Sequence, residues 1–339
     1  MRNLYIHCGL PKTGTTSLQM FLREHREQLN AIDYDYPALC LNRGGYNHSN
    51  LSRQFSRHNF YDSQSGTADD FLNLFKSPDR KSNIIISAEG LASCLVSSYS
   101  SAKLQSFLRS AAQLNDAVYL IFSFRTFWRY IESLYLQLLK AGNLKVTLTR
   151  HIDMRLLWLG MLFKEIAILH EIVGAGRILV ADVDQSDSIS ALLPLMKINE
   201  SELGPRPEKL NARLGIKKAA LLYHFQFESA GKQHGRSQHQ IMRLAKSLEK
   251  MADLPDDDYN YHIVTFEQAN RIQEFVRGHI PDFLSAQLES ACRAVDTSHE
   301  TAVLRNIQLT IRDALTVVEG LIPVEGKRSR KRSQAQSSA

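Results

Sequence analysis

Three short, largely apolar runs constrain this chain more than any other feature: residues 4–8, Asn83–Ser87 and Ala117–Phe124. A strand with one wet face alternates apolar and polar residues. A continuous run rich in β-branched and aromatic residues is covered on both faces, as in a parallel sheet. Each run is followed by apolar residues at helical spacing, over 15–30 (Leu18, Phe21, Leu22, Leu29), 101–113 and 128–141. A fourth strand is predicted over 177–183, after a strongly helical 156–173. Alternating strand and helix predicts an α/β, doubly wound core around a central parallel sheet, occupying 1–198. Residues 199–214, rich in Pro, Glu, Asn and Gly, read as a loop that orders on binding or as a connector. The part from 199 to 318 reads as mostly helical, broken near 231–237 and 254–261, and completes the same domain. Residues 319–339 are expected to be a disordered basic tail.

Charge and cysteine usage narrow the function classes. Five of the net +6 charges are Lys327, Arg328, Arg330, Lys331 and Arg332, so the body of the chain is nearly neutral. A body that tracks nucleic acid is not indicated. Cys8, Cys40, Cys94 and Cys292 form no C-x-x-C pair, which argues against a zinc site or a disulfide framework and for a reducing compartment. No apolar stretch approaches the ~18–20 residues of a membrane span. The first strand begins too early to leave room for a signal peptide, so a cytoplasmic location is expected.

The sharpest motif lies between the first strand and the first helix: Gly9-Leu10-Pro11-Lys12-Thr13-Gly14-Thr15-Thr16. A helix start offers unpaired N–H groups and the positive end of the macrodipole, which suit a phosphate or sulfate. Gly9 and Gly14 let backbone approach an anion, Thr15 and Thr16 add hydroxyls, and Lys12 adds charge. The nucleoside-triphosphate pattern G-x-x-x-x-G-K-[ST] is not met, because Thr15 follows Gly14. A variant NTPase or small-molecule kinase is therefore the first alternative reading.

Pro11-Lys12-Thr13-Gly14-Thr15-Thr16-Ser17-Leu18 resembles the P-K-x-G-T-T/S-x-L loop of sulfotransferases that use 3′-phosphoadenosine 5′-phosphosulfate (PAPS). That resemblance implies a P-loop-NTPase-like three-layer fold and a loop, Pro11 to Thr16, that holds the donor's 5′-phosphosulfate. It also implies a second signature, an arginine ending a later strand and a serine eight residues on, both holding the 3′-phosphate. Arg125 and Ser133 reproduce that spacing. Arginine presents a planar, always-charged fork to phosphate, and strand ends of open α/β sheets are where ligands bind.

Sulfuryl transfer needs a cation beside the leaving phosphate and a base for the acceptor's proton. By resemblance, Lys12 is the cation and no metal takes part. Two residues compete as base. His48 follows Tyr36-Pro37 in a stretch that looks like the acceptor pocket of bacterial-type members. Glu89 follows the apolar run Asn83–Ser87 at the sheet's carboxyl edge. His48 is narrowly preferred, and His58 is a weaker competitor. The resemblance implies PAPS as co-substrate and an acceptor bearing a hydroxyl or amine, with carbohydrate first. It implies no specific nucleic-acid partner, and homo-oligomerisation stays open. A non-catalytic glycan- or protein-binding module on the same fold is the second alternative. Residues 211–214, including Asn211 and Arg213, look like a loop that closes over the donor. His224, His234 and His239 lack metal spacing, and Ser87 reads as a buried hydroxyl.

Overall fold

A computed structural model describes residues 1–141, 143–206, 215–223, 248 and 262–293. The loop 211–214, His224, His234, His239, the two predicted breaks and the basic tail lie outside these residues. The core is a five-stranded parallel sheet of β1 (Asn3–His7), β2 (Tyr34–Asp35), β3 (Asn83–Ser87), β4 (Ala117–Phe124) and β5 (Ile178–Asp182), ordered β2-β3-β1-β4-β5. Its register sets His7 opposite Ser87 on one side and Ile121 on the other, and Phe124 opposite Asp182. Ile84, Ile85 and Ile86 are all fully buried, as expected for a strand covered on both faces.

Helices cover the two faces. On one, Tyr5, Ile85 and Ile121 pack with Leu18, Phe21 and Leu22 of α1 (Thr15–Glu24). That layer also holds α2 (Arg26–Ala31) and, lying further along the chain, the short helix Ser188–Leu192. On the other are α3 (Ser49–Phe55), α4 (Ala68–Lys76), α5 (Gly90–Leu95) and α6 (Ser98–Leu114). Next come α7 (Phe127–Lys140) and α8 (Leu148–Val173), followed in order by Ser188–Leu192 as α9. Phe124 stacks on Phe163 of α8 with ring centroids 6.2 Å apart, and Phe127 meets the same ring edge-on at 5.9 Å. Each such fully buried ring or aliphatic side chain contributes about 1.5–3 kcal/mol.

The predicted helix over 15–30 is in fact two helices. The chain breaks at His25, whose φ of −104° and ψ of 27° leave the helical region and whose Nδ1 donates to the Phe21 carbonyl at 2.9 Å.

The chain divides into two compact units. The first comprises Met1–Leu134, Thr147–Ala212 and Phe266–Ser298, so the sheet unit regains chain well beyond the boundary expected at 198. The returning part holds α11 (Phe266–Arg277) and α12 (Asp282–Leu288), here numbered after α10 (Ile216–Tyr223). The amide of Val180 on β5 donates to Gln287 Oε1 of α12 at 3.1 Å, which satisfies an edge-strand donor. The second unit comprises Tyr135–Val146, Arg213–Thr265 and His299–Ala339. Within it α10 buries Ala219, Ala220 and Leu222. No described helix is long and apolar enough to cross a membrane.

Candidate functional site

The chain leaves β1 toward β2 on one side of the sheet and leaves β4 toward β5 on the other. Connections therefore diverge between β1 and β4, and the crevice outside the carboxyl ends of such neighbours is where open α/β sheets take ligands. The glycine loop follows β1, and Arg125 follows β4. Both predicted anion cradles thus stand on either side of one crevice.

In the loop, Lys12 has φ 70° and Gly14 φ 73°. A left-handed backbone at a lysine is a strained arrangement that clusters at functional sites, and it turns the chain tightly before α1. Gly14 caps α1 without a side-chain hydrogen bond, and no acidic residue occupies the first turn. The amide of Ser17 is satisfied by the Gly14 carbonyl at 3.1 Å. The helix start thus lacks a competing carboxylate, as an anion site requires. Thr13 and Thr15 are buried, Pro11, Lys12 and Thr16 half-buried, and Gly14 exposed.

Under the loop lies a buried polar floor that the sequence reading missed. Thr13 Oγ1 donates to the Leu10 carbonyl at 2.6 Å and meets Ser123 Oγ at 2.7 Å. Ser123 Oγ is 3.2 Å from His7 Nε2, and His7 Nδ1 is 2.8 Å from Ser87 Oγ, which also receives Gln19 Nε2 at 3.1 Å. The proton order follows from the ends of this chain. The Thr13 proton is committed to a carbonyl, so Ser123 donates to Thr13 and His7 Nε2–H donates to Ser123. His7 Nδ1 then accepts from Ser87, and Gln19 donates to Ser87. One neutral tautomer of His7 satisfies every group, in keeping with burial that pushes its pKa down to about 3. Ser87 is a buried hydroxyl, as expected. A polar residue inside one apolar run, His7, and one closing another, Ser87, were the signal available for this floor.

Gly9 is held to its identity by this floor. A Cβ there would lie 2.5 Å from His7 Nε2, 2.5 Å from Thr15 Cγ2 and 2.7 Å from Ser123 Oγ. Gly9→Ala is expected to destabilise the fold by about 1–3 kcal/mol through overpacking, read as a lowered midpoint in urea unfolding. An unchanged midpoint would show that the floor is loose.

Arg125, half-buried after β4, directs Nη1 to the Lys12 carbonyl at 3.5 Å and Nη2 to Asp184 Oδ1 at 3.0 Å. Asp184 Oδ2 accepts the Thr126 amide at 2.7 Å. Burial acts to raise the Asp184 pKa, but Arg125 and Thr126 hold it below the usual carboxylate range. Asp184 was not anticipated, since it lies 59 residues from Arg125 in sequence. Arg129 is exposed, with its guanidinium 5.2 Å from the Trp128 ring. Ser133 is half-buried two turns along α7, without a polar contact among the described residues.

The two candidate bases separate clearly. His48 is fully buried, and its Nδ1 is 3.0 Å from the Ser87 amide, which can only donate. Nε2 therefore carries the proton and gives it to the Pro37 carbonyl at 3.0 Å. Burial, the largest influence, pushes its pKa down to about 4. With both nitrogens engaged, His48 has no lone pair for an acceptor's proton, and the preference for it is corrected. It pins the 37–48 loop to β3, beneath the Tyr36 ring that meets it edge-on at 4.7 Å. His58 is exposed and accepts the Phe60 amide through Nδ1 at 3.2 Å, so it does not replace His48. Glu89 is half-buried at the start of α5 and makes no side-chain capping bond. Burial raises its pKa to about 7, while Lys12 pulls in the opposite direction. A carboxyl that burial lifts toward neutrality within the electrostatic reach of the loop lysine has the character of a general base.

Among the described residues no group of three or more His, Cys, Asp or Glu is placed to hold a metal ion, and all four cysteines are free and buried. No family model, curated protein or solved structure matches the chain.

Proposed function

We propose that the protein is a PAPS-dependent sulfotransferase with a P-loop-like core, moving a sulfuryl group to an acceptor hydroxyl or amine, with carbohydrate first among acceptors. The observation that supports this reading most is the approach of Arg125 Nη1 to the Lys12 carbonyl at 3.5 Å, which brings the two predicted anion cradles together at the β1–β4 crevice. The loop from Pro11 to Thr16 takes the 5′-phosphosulfate, and Arg125 takes the 3′-phosphate, with Ser133 assigned to it by spacing alone. Lys12 steadies charge on the departing phosphate. Glu89 accepts the proton of the attacking group, a role supported by its raised pKa and by the opposing pull of the Lys12 charge on its carboxyl.

The test is ligand binding. 3′-Phosphoadenosine 5′-phosphate should bind without magnesium and far more tightly than ATP, by calorimetry. Tighter, magnesium-dependent ATP binding would favour a kinase or NTPase instead. Arg125→Ala is expected to weaken 3′-phosphoadenosine 5′-phosphate by about 2–4 kcal/mol, the loss of a charge-assisted contact that leaves a buried group unpaired. Affinity within twofold of the parent would remove Arg125 from the site.

A further inference from the structure

Arg125 is not the whole of its cradle. Its guanidinium is gripped by Asp184, the second residue past β5, through Nη2 and Oδ1 at 3.0 Å. The other carboxylate oxygen takes the Thr126 amide, the last before α7, so Asp184 ties the guanidinium to the start of that helix. The grip is itself braced: the Asp184 amide donates to Asp182 Oδ1 at 2.9 Å, and the Val183 amide donates to the Phe124 carbonyl at 2.9 Å. Four residues on, Ser188 Oγ donates to the Gly14 carbonyl at 2.8 Å. One segment, 184–188, therefore holds Arg125 at one end and the glycine loop at the other. Arg125 Nε is buried with no hydrogen-bond partner, and Nη1 has only the long contact to the Lys12 carbonyl. Asp184 thus engages Nη2 and leaves Nη1, with only that long contact, as the end of the fork open to a ligand.

We propose that Asp184 is a positioning residue that fixes Arg125 so that its Nη1 end recognises the 3′-phosphate of a 3′-phosphorylated adenosine nucleotide, giving the site its preference for that phosphate. This rests on the donor reading above. Two opposed alternatives make different predictions. A carboxylate that merely competes for the anion position would oppose the ligand, so removing it would tighten binding. A purely structural carboxylate would, when removed, weaken every nucleotide alike.

The experiment compares 3′-phosphoadenosine 5′-phosphate with adenosine 5′-phosphate, which lacks the 3′-phosphate, by calorimetry on the full chain. For Asp184→Ala the first ligand should weaken about tenfold or more, as when one charge-assisted contact loses its geometry, while the second stays within twofold. Asp184→Asn keeps one acceptor for Nη2 and should fall between parent and alanine. It also decides the matter alone if the alanine variant does not fold. A raised or unchanged preference for the 3′-phosphate, or a parallel loss of both ligands, would overturn the role of Asp184. A parent protein with no preference between the two nucleotides would instead sink the donor reading, and this inference with it.

Discussion

Lys12→Ala is expected to lower the turnover number by about 10²–10³-fold, the usual effect of deleting one group that stabilises charge developing in a transition state. The proposed reaction breaks the bond between sulfur and the bridging oxygen, leaving charge on the 5′-phosphate. In the proposed site that phosphate is assigned to the loop carrying Lys12, whose backbone has φ 70° in the turn before α1. Because the ground-state donor bears less charge at the bridge than the departing phosphate, substrate affinity should change much less than turnover. A second signature follows from the same position. Lys12 pulls the Glu89 pKa down against burial, so its removal should move the ascending limb of the pH–rate profile to higher pH. Single-turnover measurements of donor consumption over a pH range of about 5–9, which brackets the working range of such a base, check both. A turnover within threefold of the parent would take Lys12 out of the chemistry.

Much of the sheet was legible because two-sided burial leaves an unmistakable trace. The strands Asn83–Ser87 and Ala117–Phe124 have the bounds that their apolar runs imply. β2 is only Tyr34–Asp35, too short for any periodicity, and was missed. Helix α4 carried a readable start, Thr67 and Asp70 forming a reciprocal capping box, but the reading from apolar runs assigned this stretch no element. The break at His25 depends on a side chain returning to its own backbone, which apolar spacing does not encode.

The site divides along the same line. The glycine loop is local, so its glycines, lysine and threonines announce themselves in one octapeptide. The floor and the grip on Arg125 are built across 116 residues in the case of His7 and Ser123, and 59 for Arg125 and Asp184. Nothing local marks such partners. His48 shows how a local pattern misleads: its neighbours Tyr36 and Pro37 are near in sequence, but the Ser87 amide that occupies Nδ1 belongs to another strand. A histidine's ordinary pKa argues for a base only until its lone pair is accounted for.

Glu89→Gln carries the other large effect. If Glu89 takes the acceptor's proton, the amide should cost about 10²–10⁴-fold in turnover, with 3′-phosphoadenosine 5′-phosphate affinity little changed. The parent's rate should rise with pH through about 7, the value to which burial lifts this carboxyl, because only the ionised form accepts a proton. The variant should lose that limb. Stability gives an independent check with a definite sign. The folded-state pKa lies above that of the unfolded chain, so folding favours the protonated form. The cost of ionising Glu89 in the folded state is absent below the ordinary glutamate pKa and grows as pH rises toward and through about 7. The glutamine side chain is a neutral isostere that escapes this cost. Glu89→Gln should therefore match the parent's thermal midpoint at a pH of about 4 and exceed it at about 8, on either side of that window. A variant that is inactive yet more stable in the alkaline arm has lost a reacting group rather than its fold. Retained activity, with a pH limb like the parent's, would return the search for the base to residues outside the β3–α5 turn.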